Sequence, residues 1–228
     1  MLQIIKRYLK KSNFVKWQYH NLKGILLKFR LRHGRLSIIN DGTIKIRKVV
    51  SGGGNKLIVG KGTFLNNTVI HIIGNNNTIE FKEYCNVGPE CSFWCEGDNI
   101  KIVIGAYTSF TVANHLNAQE DNSMIVIGED CMISNHVIIR TSDSHPIYSL
   151  ESKERINPAK DIHIGNHVWI APGTEIMKGA EIGDGCIIGS QTMVTKTIPS
   201  SCLAVGRPAR VVKNNVTWSR EDIIFHKK

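Results

Sequence analysis

The sequence predicts an all-β protein, a parallel β-helix wound as triangular coils from hexapeptide repeats, and two observations predict it. Between Ile164 and Pro199 an aliphatic residue returns at every sixth position, and upstream the same units recur in runs whose starts lie 23 residues apart. Internal periodicity of this kind decides the architecture before any local propensity does.

The downstream register is unbroken. Ile164, Ile170, Ile176, Ile182, Ile188 and Val194 mark it, and four residues after each stand Val168, Thr174, Ala180, Cys186, Thr192 and Ile198. A period of six suits neither a 3.6-residue helix nor two-fold strand alternation. It suits a triangle: three hexapeptides make a coil of eighteen residues, each aliphatic points to the axis, a small residue sits near each corner, and stacked coils pair as parallel sheets.

Upstream, Phe81, Val87 and Phe93, then Ile104 and Phe110, then Ile127, Ile133 and Ile139 repeat the unit. A spacing of 23 is an eighteen-residue coil plus a short excursion, and the turn-rich strings Gly74-Asn75-Asn76-Asn77 and Gly97-Asp98-Asn99 mark the excursions. The coil is expected over residues 36–200 in roughly seven or eight turns, with a closing segment over 201–228. One interruption is larger: residues 142–163 leave the repeat as a protruding loop, and a loop of that length in a compact repeat is usually functional.

The first 35 residues carry ten Lys or Arg and no Asp or Glu, which equals the whole formal net charge of +10. The remainder is balanced, so the basic character belongs to an arm and gives no ground for nucleic-acid binding. Residues 1–35 read as one or two basic amphipathic helices. They suit packing on their own domain or on a neighbouring subunit, an interfacial helix on anionic lipid, or a hold on an anionic polymer. The longest apolar run there, Ile25-Leu26-Leu27, is far too short for a signal-peptide core or a membrane span. The expected location is the cytoplasm, with the inner face of the membrane as a second address through the arm. The six cysteines form no C-x-x-C pair, and the spacing of Cys85, Cys91, Cys131 and Cys186 makes them small inward wall residues, reduced in the cytosol.

Several strings resemble one family. Asp143-Ser144-His145-Pro146-Ile147, the loop ending Ile156-Asn157-Pro158, Ile164-Gly165-Asn166-His167-Val168-Trp169-Ile170 and Val205-Gly206-Arg207-Pro208-Ala209-Arg210 are similar to the hexapeptide-repeat acetyltransferases. The stretch Arg155-Ile156-Asn157-Pro158-Ala159-Lys160 and the asparagine-rich excursions most resemble O-acetyltransferases of bacterial surface polysaccharides. The resemblance implies a left-handed coil, acetyl-CoA as co-substrate with no metal, a homotrimer, and a carbohydrate acceptor acetylated by direct, base-assisted attack.

Such a reaction needs a base for the acceptor hydroxyl, and imidazole suits it. The family's His-Pro context puts the catalytic histidine at His145, with Asp143 either orienting the ring or capping a turn. Trp169 is expected to face outward beside the loop as a stacking platform for sugar or pantetheine, or to pack on an excursion or a neighbouring subunit. By resemblance, Asn114 and His115 reach toward the acceptor. Backbone amides at Ala171, Gly189 and Ser190 are expected along the pantetheine arm, and Lys196, Arg207 and Lys213 at its phosphates. Several family members have a hydroxyl residue just beyond the position of Ile170, whereas this chain reads Ala171-Pro172-Gly173, which leaves a backbone amide as the oxyanion donor.

Other readings stand beside this one: an acetyltransferase for a small sugar or xenobiotic, a γ-carbonic-anhydrase-like zinc lyase built on His136, His163 and His167, and a non-catalytic β-helix scaffold. A serine acetyltransferase would need a larger helical domain ahead of the coil.

Overall fold

The computed structural model describes residues 35–221, so the basic arm, apart from Arg35, lies outside the described residues. The described residues form strands and turns with no helix among them. They wind as a left-handed parallel β-helix of seven coils. One face stacks the strands Leu36–Asn40, Asn55–Val59, Thr78–Phe81, Lys101–Ile104, Met124–Ile127, Ile162–Ile164 and Glu181–Ile182, all parallel. The other two faces merge into one 14-stranded sheet, because Thr43–Ser51 and Phe64–Ile73 turn their shared corner without a break.

The six-residue register builds the core as expected. Ile164, Ile170, Ile176, Ile182, Ile188 and Val194 are at most 3 % exposed, and Val168, Thr174, Ala180, Cys186 and Thr192 are wholly buried. Each buried aliphatic contributes about 1.5–3 kcal/mol over an exposed one, and that burial exists only because the coils above and below cover it. In the wider upstream coils Phe81, Phe93 and Phe110 meet edge to face, with centroids 4.8 and 5.6 Å apart. Corners bring backbones close. A Cβ at Gly183 would sit 2.5 Å from Ser200 N, which explains the small residue after the aliphatic.

The 23-residue coils are held at their excursions by a ladder of side chains. Asn75 N donates to Asp98 Oδ1 at 2.7 Å, and Asp98 N donates to Asp121 Oδ1 at 2.8 Å. All six cysteines are free and buried, and burial pushes the Cys85 and Cys131 thiols up to about 11.

The coil runs slightly past residue 200. Cys202–Val205 still pairs in parallel with Ile187–Ile188, because Cys202 and Ala204 keep the inward small-residue pattern. Arg210–Asn214 then reverses onto that strand and covers its edge. Beyond it the chain travels back down the outside of the coil as a strap: Val216 N bonds to Ser201 O, and Arg220 reaches Asp130 and Ser109.

Candidate active site

The large loop leaves the coil after Ile138–Arg140 and rejoins it at Ile162–Ile164. It is a hairpin. Tyr148 bridges to Arg155, Ile156 N donates to Ile147 O at 2.9 Å, and the tip residue Leu150 is 88 % exposed. His145 stands at its root with an exposed side chain, just after Ser144 turns the backbone with φ of 65°. Arg140 Nη2 donates to Ser144 Oγ, and Ser144 Oγ donates to Gln119 Oε1, both at 2.7 Å.

Asp143 has other partners than the imidazole. Its Oδ2 accepts from Lys178 Nζ at 2.5 Å and from Asn157 Nδ2 at 2.8 Å. The Lys178 ammonium, helped by the Asn157 amide, holds the Asp143 carboxyl below its usual range. The carboxylate therefore ties the loop to the coil, nearer to the turn-and-cap alternative than to ring orientation.

At the loop root opens a cavity of about 430 Å³, lined by Glu96, Gln119, Glu120, Ser142, Tyr148 and Arg155 among others; the flanking residues Ser144 and Pro146 line it, and His145 itself does not. Arg155 grips Glu120 with two bonds of 2.7 and 2.6 Å, and Ser142 Oγ adds a third at 2.6 Å. Those donors, Arg155 first, bring the Glu120 carboxyl down to about 2. A lining of hydroxyls, amides, carboxylates and one aromatic ring is suited to a sugar.

His115 lies on the face that ends in the loop. Its Nδ1 is 2.7 Å from Ser92 Oγ, and its ring meets Trp94 edge to face at 5.0 Å. Trp94 in turn stacks on His71 at 4.2 Å. Burial lowers the His115 pKa, Arg140 adds to that, and Glu96 opposes it. Asn114 is only 1 % exposed, and its Oδ1 accepts from Val137 N at 2.9 Å. Its carboxamide is inward and holds the next coil, so the structure does not bring it to the acceptor side with His115.

Trp169 lies on a different face from the one the loop leaves, paired between Met132 and Ile187. It is half-buried, its Nε1 has no partner among the described residues, and Trp218 of the strap lies 6.3 Å away. The described residues therefore set Trp169 against the strap, a partner absent from the expectation. His136, His163 and His167 do not converge: among the described residues no three His, Cys, Asp or Glu side chains gather as a metal site, and His167 contacts Asp130 and Trp218.

The bacterial transferase hexapeptide (six repeats) pattern matches residues 161–196. The polysialic acid O-acetyltransferase of Escherichia coli O1:K1 is 42 % identical over 122 residues, 54 % of this chain and 39 % of that protein, so the match spans well under half of the relative. The polysialic acid O-acetyltransferase of Neisseria meningitidis is 34 % identical over 190 residues, covering 75 % of this chain and 88 % of that one. The chain belongs to the hexapeptide-repeat acetyltransferases. The crystal structure of the polySia-specific acetyltransferase NeuO superposes on this acetyltransferase with a TM-score of 0.53 at 32 % identity, over 82 % of this chain and 90 % of the other. The polysialic acid O-acetyltransferase OatWY gives 0.53 at 29 % identity, over 85 % and 94 %.

The residues expected on the donor side differ in their surroundings in this acetyltransferase. Ala171 N and Gly189 N donate to Ile188 O and Ala204 O, at 2.8 and 2.9 Å, so both amides belong to the coil ladder and are not free for pantetheine. Gly173 N bonds to Asn135 O and Pro172 has no N–H, so Ala171-Pro172-Gly173 supplies no oxyanion donor within the protomer. Ser190, Lys196 and Lys213 are exposed, and Lys196 lines a cavity of about 270 Å³ with Arg210. Arg207 pairs with Glu175 at 3.0 Å.

Sequence reasoning missed Lys178, Glu120, Trp94 and Trp218. Their contacts span 35 residues for Lys178 with Asp143 and 51 for Trp218 with His167, and no local spacing signals either. Asn157 was visible as part of a motif, without a role.

Proposed function

We propose that this chain transfers an acetyl group from acetyl-CoA to a hydroxyl of a bacterial surface polysaccharide, with His145 as the general base. The observation that carries the reading is the exposed His145 side chain at the loop root, between Ser144 and Pro146, which line an open polar cavity, in a chain of this family. Relatives named for O-acetylation of polysialic acid support a polymeric sugar as acceptor. In this mechanism the His145 imidazole takes the acceptor hydroxyl proton as the oxygen attacks the thioester carbonyl. The tetrahedral intermediate collapses to the acetyl ester, and the departing thiolate of CoA receives the proton from the imidazolium.

We further propose that the active form is a homotrimer, since triangular coils present flat faces that pack about a three-fold axis. The cytoplasm, or its membrane face, is the location the basic arm favours. Among the described residues no helix is long and apolar enough to cross a membrane.

Incubation with acetyl-CoA and a panel of bacterial glycans, read by mass spectrometry, tests the activity. His145→Ala should retain the fold and the donor affinity while kcat falls roughly 10²–10⁴-fold. Turnover within a few-fold of wild type would remove His145 as the base and turn attention to His115.

A further inference from the structure

We propose that Asn157 is the positioning residue for His145, its carboxamide fixing the backbone at His145 and Ile147 and holding the Asp143 carboxylate, with Lys178 completing the clamp. The inference rests on the reading of His145 as general base. Asn157 is 6 % exposed. Its Nδ2 donates to His145 O at 2.9 Å and to Asp143 Oδ2 at 2.8 Å, and its Oδ1 accepts from Ile147 N at 2.6 Å and Arg155 Nε at 3.3 Å. Two donors and two acceptor sites are all a primary amide has, and all four are used.

The pattern matters more than the number. By donating to the carbonyl of residue 145 and accepting from the N–H of residue 147, the side chain gives this segment the pairing that a neighbouring strand would provide. It does so where the coil's own ladder has stopped, after Arg140. His145 has an exposed side chain, so its direction is set chiefly by its backbone, and the backbone is set by Asn157. Lys178 ties the same assembly to the next coil, through Asp143 Oδ2 at 2.5 Å and Asn157 O at 3.3 Å.

An aspartate at position 157 has the same shape and no donor. It would place a carboxylate against the Asp143 carboxylate and the His145 carbonyl, so Asn157→Asp breaks the clamp while leaving the volume unchanged.

The test measures kcat and the KM for acetyl-CoA with Asn157→Asp and Lys178→Met, each in the wild-type and the His145→Ala backgrounds. Asn157→Asp should lower kcat about a hundredfold, the scale of an ångström-sized misplacement, with the KM for acetyl-CoA held within about twofold. Lys178→Met should lower kcat about three- to tenfold, since it removes one anchor and leaves the amide. In the His145→Ala background neither should matter, because a residue that acts through the imidazole has nothing left to position. Should Asn157→Asp fail to fold, Lys178→Met carries the same comparison from a partly exposed surface position. An equal loss in both backgrounds, or unchanged kcat in both variants, overturns the proposal. A His145→Ala enzyme near wild-type turnover overturns the base assignment and the clamp together. An inactive His145→Ala beside fully active clamp variants overturns the clamp alone.

Discussion

Trp218 lies flat on the imidazole of His167, with ring centroids 4.3 Å apart and 7° between the planes. The two residues also bond reciprocally: Trp218 Nε1 donates to His167 O at 2.8 Å, and Trp218 O lies 3.1 Å from His167 Nε2. Arg220 then caps the arrangement over the Trp218 ring and onto Asp130. Trp218→Ala should therefore release residues 216–220 while the seven coils stay folded, since the stacked core lies elsewhere. Amide exchange reads the outcome: Val216 should lose protection, and Ile170 and Ile188 should keep theirs. Unchanged exchange at Val216 would show that the strap is held by other contacts.

The Arg155 and Glu120 pair predicts how the loop responds to acid. The Glu120 carboxyl is drawn from its ordinary 4.5 to about 2 in the folded chain, mainly by Arg155. A depressed carboxyl contributes stability above its unfolded pKa and loses it as pH falls through the folded one, so this contribution should fade between about 4.5 and 2. Thermal unfolding of wild type and Arg155→Met across that window measures it. The Tm difference should be largest above pH 5 and shrink toward pH 2, and a constant difference would mean that the pair does not titrate as described.

Trp169 and His145 should separate kinetically. Trp169 lies beside Trp218 on a face other than the one the loop leaves, so Trp169→Ala should leave kcat and the acceptor KM within about twofold of wild type while loosening the strap. Steady-state kinetics with donor and acceptor varied in turn, together with amide exchange at Val216, check this. A raised KM for either substrate would show that the ring reaches a ligand from its place against the strap.

Deletion of residues 1–30 should leave the coil folded, since its described strands begin at Leu36. Association with anionic vesicles should fall if the arm is an interfacial helix. Equal flotation with and without the arm would end that reading and leave packing on its own domain or a neighbouring subunit, or a hold on an anionic polymer.

The coil was legible in the sequence because its determinant is local and repeated. Ile164 to Val194 each face the axis for the same reason, and six copies of one signal outweigh any single ambiguous residue. The excursions were legible too, since Gly74 and Gly97 turn at φ of 130° and 144°, where glycine is favoured. His145 was found by its motif and its place at the root of an interrupted repeat. What surrounds it was decided only by the tertiary structure. The Lys178 ammonium meets Asp143 because successive coils stack, and Asn157 meets His145 because the hairpin closes on itself. The amide of Ala171 is consumed by Ile188 because the next coil lies directly above it. Periodicity specifies which residues point inward, but outward-pointing side chains find their partners through the stacking of coils and the path of the strap, where sequence distance no longer measures spatial distance.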